Sequence, residues 1–417
     1  MKLQSEASQS SSLSAPRLRG ADDVYGRVHL VHSLEEAQRA LILTEAKNFT
    51  NLIFTTLNKI WVVNVTFILR LLTFVFFSKR KFKEIFPKHI VVYTVGVLGD
   101  NAIRLAALAT LKHRYPDAKI TVAMTTGSGS GIPAQLYGKL PYVDDCVMFS
   151  QEFLDRTQCN LFVDLSGSAN LGLLRLVFRE MLYAYKMGAN YAIGFYVSTY
   201  GLRKCLNSVQ HRFIENEPRR YLKVLREIDL APMHSSNILP ENKNVKESLL
   251  SKHEIKNDEM IVVMVPGAGK QAKIWPSERF AATASWLKER YRARVFLVGD
   301  ASEREIAEKV ALLSEHSALN LAGETTIQEL IELLRIAKIC ITNDTGTMHV
   351  AAILQVPTVA IFNSKLPPTW WFPDNDKIIQ LFSDTDCSLC DSFSCETREC
   401  LMNITVDHVK SAVAELM

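Results

Sequence analysis

Along residues 89–417, short continuous apolar runs alternate with longer segments whose apolar residues recur every three or four positions. The first pattern predicts strands buried on both faces, and the second predicts amphipathic helices. "HIVVYTVG" at 89 reads as a strand and "AIRLAALATLKHRY" as a helix; "KITVAMTT" and "LFVDLSG" are the next strands, the latter followed by the helical "LGLLRLVFREMLYAY". The stretch 231–259 turns polar and reads as a helix plus linker. The alternation then restarts at "MIVVMVPGAG" and continues through "ARVFLVGD", "KICITND" and "PTVAIF", each separated by a helical segment. Strands that alternate with helices predict a parallel, doubly wound α/β sheet, here twice in tandem. The predicted organisation is an extension over 1–88, a first domain over 89–245 and a second over 246–417.

The extension has a different character. Residues 1–20 are Ser-rich and read as disordered. Residues 51–83 are the most apolar part of the chain and end in Lys79, Arg80, Lys81 and Lys83. Lys59 and Arg70 interrupt the run, and a charge at mid-bilayer costs at least about 2.5–3.5 kcal/mol, which argues against a span. An apolar helix ending in a basic cluster suits peripheral contact with an anionic membrane. A hairpin packed on the protein's own core is the plain alternative. The first apolar run starts too late for a signal peptide.

Charge follows the same division. Residues 1–90 hold 13 Lys/Arg against 7 Asp/Glu, a balance of +6, so the remainder is close to −2 in a chain of net +4. That balance, with no interleaved basic and aromatic motif, argues against a nucleic-acid binder. Cys146, Cys159, Cys205 and Cys340 lie in apolar surroundings and read as reduced core thiols, hence a cytoplasmic compartment.

In open parallel sheets ligands bind beyond the carboxyl ends of the strands. The loops there carry the candidate chemistry. In "GVLGDN", Asp100 at a helix start is either a helix cap or a general base facing the cleft. In "PGAGKQAKIWP", Gly267 and Gly269 free backbone amides for an anion and Lys273 adds charge, although the spacing is not that of a P-loop. In "DASEREIAE", Glu303 lies in the first helical turn and can meet a ribose. In "NDTGTMHVAA", Asp344, Thr345, Gly346, Thr347 and His349 cluster where a helix leaves a strand. Such a helix end presents free N–H groups to phosphate, and a diphosphate fits the set best. "TTGSGSGIP" at 125–133 lacks the dinucleotide spacing and reads as a flexible loop, which sets an oxidoreductase aside. Cys387, Cys390, Cys395 and Cys400 can hold structural zinc or iron, stay as thiols or pair as disulfides.

These stretches together resemble the family 9 glycosyltransferases, the bacterial lipopolysaccharide heptosyltransferases. "NDTGTMHVAAILQVPTVAIF" and "VPGAGKQAKIWPSERFAATASWL" carry most of the resemblance; "GVLGD", "YVDDCVMF", "VGDASEREIAE" and "CLMNITVDHV" support it. It covers residues 89–417. It implies a GT-B architecture, two Rossmann-like domains facing a cleft, with acceptor bound by the first and nucleotide-sugar by the second. It also implies an inverting transfer that needs no metal cofactor, from ADP-heptose to an inner-core sugar, at the cytoplasmic face of the inner membrane. Asp100 matches the family's general base and Lys273 its phosphate-binding lysine. Asp344, Thr345, Gly346 and His349 match its donor signature, and Glu303 its ribose-binding acid. The alternatives are a catalytically silent nucleotide-sugar-binding protein on the same scaffold, or a transferase using another sugar or a protein acceptor.

Overall fold

The computed structural model describes residues 27–30 and, from 86 onward, all but 126–130, 167–173, 196–216, 229, 231–237, 257, 365–370, 374, 384 and 386–394. The apolar/basic segment 51–83, the Ser-rich start, Cys387, Cys390 and most of the glycine-rich stretch after 125 therefore lie outside the described residues. The first described strand, β1 (Arg27–Leu30), belongs to the extension.

The first domain is a five-stranded parallel sheet of β2 (His89–Val95), β3 (Lys119–Thr125), β4 (Asp145–Met148), β5 (Leu161–Asp164) and β6 (Tyr191–Ile193). Its order is β4-β3-β2-β5-β6. The second contains β7 (Ile261–Val265), β8 (Arg294–Leu297), β9 (Ala318–Asn320), β10 (Ile339–Asn343), β11 (Thr358–Phe362) and β12 (Ile378–Phe382). Its order is β1-β12-β11-β10-β7-β8-β9. The central strands are apolar without a break because helices cover both faces: every residue of β7, β10 and β11 is buried. Each sheet reverses its strand order once, between β2 and β5 and between β7 and β10. Such a reversal opens a crevice at the carboxyl ends. The predicted site loops follow β2, β7 and β10, so both crevices are occupied by them.

One apolar cluster runs from Ile90, Val92 and Leu108 under the first sheet to Val263, Leu333 and Val350 under the second. Shared burial of this kind fixes the two carboxyl edges toward each other. The donor-side helix Lys243–Lys252 begins at Asn242, whose side chain caps it through Val245 N.

The extension contributes what the sequence pattern did not signal. β1 pairs in parallel with β12, Arg27 opposite Ile379, and adds a seventh strand to the second sheet. Among the described residues no helix is long and apolar enough to cross a membrane.

Candidate active site

At the end of β10 the chain passes Asp344 and Thr345 and enters helix α2 (Gly346–Ile353); the earlier helix α1 (Leu98–Ala102) starts on the opposite side of the cleft. Thr345 stands at the N-cap position of α2, yet its side chain makes no cap hydrogen bond. Its hydroxyl meets that of Thr342 at 3.1 Å instead. The first-turn amides of α2 are left without a side-chain cap and keep their capacity for an anion.

Beside this helix start lies one strong cation. Lys273 Nζ donates to Asp344 Oδ2 at 2.6 Å. The lysine side chain remains 26% exposed against 9% for the aspartate, so the pair has a wet side from which a ligand can reach Nζ. One turn into α2, His349 is 4% exposed and its Nδ1 has no partner among the described residues. Burial pushes its imidazole down to about 4, against the opposing pull of Asp344 and Asp100. The ring is therefore neutral at neutral pH. Thr347 is buried on the same turn.

The loop after β7 provides a second niche. A Cβ on Gly267 would lie 2.5 Å from Glu303 Cδ, and one on Gly299 would lie 2.7 Å from Glu303 Oε2. The carboxylate thus rests between two glycines at the ends of β7 and β8. It accepts a hydrogen bond from Asp300 N at 2.9 Å. Burial raises its pKa, partly offset by that amide. Gly269 faces open space.

Across the cleft, Asp100 does cap a helix: its Oδ2 accepts from Val97 N at 2.9 Å at the start of α1. Oδ1 takes no hydrogen bond among the described residues. The structure thus brings Lys273, Asp344, Thr345, Gly346, Thr347 and His349 together. It sets Gly267 and Glu303 beside them and places Asp100 opposite. Of the cysteines, Cys395 is a half-exposed thiol, and the described residues contain no group able to hold a metal ion. Arg398 N donates to Cys395 Sγ and, with Thr397, lowers that thiol's pKa.

Two further sets of residues shape the site without having stood out in the sequence. Asn343 is fully buried and ties both donor loops together. Its Nδ2 donates to Pro266 O at 2.9 Å and Gly267 O at 3.1 Å, while its Oδ1 accepts from Trp275 N at 3.1 Å. A polar residue closing an otherwise apolar buried strand is the signal that marks it. Beneath α1, the fully buried Arg104 donates to Val95 O at 2.6 Å, Asn101 Oδ1 at 3.1 Å and Tyr221 Oη at 2.9 Å. Tyr137 Oη also donates to Asn101 Oδ1, at 2.9 Å. A charge falling on the apolar stripe of "AIRLAALATL" is its signal.

Two Rossmann-like sheets facing a cleft, with an uncapped helix end and a lysine on one side and a carboxylate on the other, define a GT-B transferase of nucleotide-activated sugars. The chain belongs to glycosyltransferase family 9 (heptosyltransferase), whose profile matches residues 184–400, just over half of its length. It is 25% identical over 335 residues to lipooligosaccharide heptosyltransferase 2 of Campylobacter jejuni, covering 77% of this chain and 95% of that protein. Lipopolysaccharide heptosyltransferase 2 of Salmonella typhimurium is 36% identical over 128 residues, 29% of this chain and 36% of that protein. The solved structure of the Escherichia coli ADP-heptose lipopolysaccharide heptosyltransferase II superposes with a TM-score of 0.57 at 21% identity, over 79% of this chain and 98% of that one.

Proposed function

We propose that this glycosyltransferase moves a heptose from ADP-heptose to a hydroxyl of a lipopolysaccharide inner-core acceptor, with inversion at the anomeric carbon. The observation that carries the reading is the α2 start, left without a side-chain cap beside Lys273. A departing diphosphate needs both a cation and free amides, and this corner offers both. Glu303, in its glycine niche one loop away, is suited to the ribose hydroxyls. The acceptor oxygen attacks the anomeric carbon as the bond from that carbon to the diphosphate oxygen breaks. The hydroxyl proton passes to Asp100, and ADP leaves with the electron pair.

Asp100 has one oxygen engaged with Val97 N, which leaves the other to take the proton. Its engagement with the backbone holds the carboxylate still, which favours proton transfer from a fixed direction. The relatives named above are enzymes of lipopolysaccharide or lipooligosaccharide assembly, which supports a lipid-linked acceptor reached from the cytoplasmic face of the membrane. In this reading residues 51–83 make the peripheral contact.

The test is Asp100→Asn assayed for ADP release and glycosylated product. The expected result is a loss of about 10²–10⁴-fold in kcat, with ADP affinity within twofold of wild type. A rate within about threefold of wild type removes Asp100 from the role of base. ADP and ADP-heptose should also raise Tm selectively over UDP, GDP, CDP and NAD. At 100 times its Kd a ligand stabilises by about 2.7 kcal/mol. Preference for another nucleotide would keep the transferase and discard heptose. ADP binding with no product on any core acceptor would favour a protein acceptor or a silent binder.

A further inference from the structure

The two domains meet at the cleft through backbone. A Cβ built on Gly346 would lie 2.8 Å from Gly99 N and 3.0 Å from Leu98 Cβ. A Cβ built on Gly99 would lie 3.1 Å from His349 Cδ2 and 3.2 Å from Gly346 Cα. Neither glycine has a positive φ, so the local chain path accepts any residue at either position. What excludes a side chain is the neighbour across the cleft. We infer that Gly99 and Gly346 form a close-approach seam that sets the separation of the two domains at the reacting atoms, with Gly99 the positioning residue on the acceptor side.

The placement gives the seam its leverage. Asp100 is the next residue after Gly99, and Gly346 is the first residue of α2. A push at the seam therefore moves the carboxylate relative to the helix end. Displacement needs the attacking oxygen within about 3–3.5 Å of the anomeric carbon, and a misplacement of about 1 Å costs on the order of 10²-fold in rate. On the donor side the seam meets Gly346 and His349. Widening it should slow the chemistry more than it weakens nucleotide binding. The catalytic consequence rests on the reading of Asp100 as base, whereas the spacing itself does not.

The experiment is a graded series, Gly99→Ala and Gly99→Val, with kcat, donor KM and ADP Kd measured on the full chain. Contacts at 3.1–3.2 Å yield by a few tenths of an ångström to alanine and by more to valine. The expected fall in kcat is about tenfold for alanine and about 100-fold for valine, with ADP Kd within twofold throughout. Gly346→Ala brings the same clash from the donor side and serves, read by kcat alone because Gly346 itself lines the donor corner, if the Gly99 variants do not fold. Its kcat should fall at least as far as that of Gly99→Ala. A kcat within twofold of wild type for Gly99→Val overturns the seam. So does an ADP Kd that rises in step with the loss of kcat, and so does failure of all three variants to fold, which would assign the glycines to folding. If Asp100→Asn stays active while Gly99→Val is slow, the base assignment fails and the seam stands.

Discussion

Helices α1 and α2 begin within contact of each other on opposite sides of the cleft, each directly after a central strand of its sheet. They treat their starts differently. At α1 the helix's own acid turns back and accepts from the N-cap amide Val97 N, which fixes the carboxylate, while Val97 itself offers no side-chain cap. At α2 the residue placed to cap the turn faces its own strand, so the turn stays open. Ser150, Asn242, Thr326 and Thr405 accept from first-turn amides of their helices, whereas the helices that start at Leu105, Ile132, Ser277 and Arg304 have no residue making a side-chain cap. What distinguishes α2 is that its N-cap residue carries a hydroxyl able to cap, and that hydroxyl pairs with Thr342 instead. An N-cap is worth about 0.5–2 kcal/mol, which α2 forgoes; on the proposed reading that leaves its first-turn amides to an anion.

That contrast can be sharpened by removing the cation beside the open end. Lys273→Ala should lower kcat by about 10²–10³-fold, the usual loss for one donor to a developing negative charge, read by steady-state ADP release. A loss below tenfold would leave the open turn alone to stabilise the leaving group.

The ring beneath the open turn gives a pH signature. His349 is held at about 4, below its usual 6.5. As pH falls, the unfolded chain takes up this proton near 6.5 while the folded chain resists until near 4. The His349 contribution is thus complete above 6.5 and lost as pH falls toward 4, amounting to about 3 kcal/mol in all. Glu180 works the other way. Burial, then Asp164, raise it from 4.5 to about 7, so its contribution is present below 4.5 and lost as pH rises toward 7. The useful quantity is the difference between wild type and His349→Leu in urea unfolding. The variant should lose the rise in stability between pH 4 and 6.5, and parallel curves would show that the ring is not buried neutral.

The smallest effect comes from closing the open end. Thr345→Asp puts a cap and a negative charge where the diphosphate should lie. ADP affinity should fall about tenfold while Tm holds or rises, measured by calorimetry and thermal melting. Unchanged affinity would place the nucleotide elsewhere.

Much of this arrangement was legible in the chain. The long apolar runs of β2, β7, β10 and β11 and the polar clusters that end them placed the crevices, because burial on both faces leaves little room for other residues. The strands that did not stand out failed for physical reasons. β4, β6 and β9 have only four, three and three residues, too few to show a period. β12 is broken by Gln380, fully buried with neither end of its amide partnered among the described residues. At the site, residue types announced Lys273 and the α2 turn. They could not show which oxygen of Asp100 meets Val97, because that depends on the turn geometry. Asn343 was hidden because its partners are backbone atoms of two distant loops. Its replacement by Leu would strip hydrogen bonds from Pro266, Gly267 and Trp275, at about 1–3 kcal/mol for each group left unsatisfied.

β1 carries a consequence for synthesis. Arg27 pairs with Ile379, so a strand made at the beginning of translation waits for one made near the end. At about 5–20 residues per second that wait lasts on the order of tens of seconds. During that wait it is β1 that has no neighbour, since its partner β12 is the last strand of the sheet to be made. The first strand of the sheet to be made is thus one of the last to be paired.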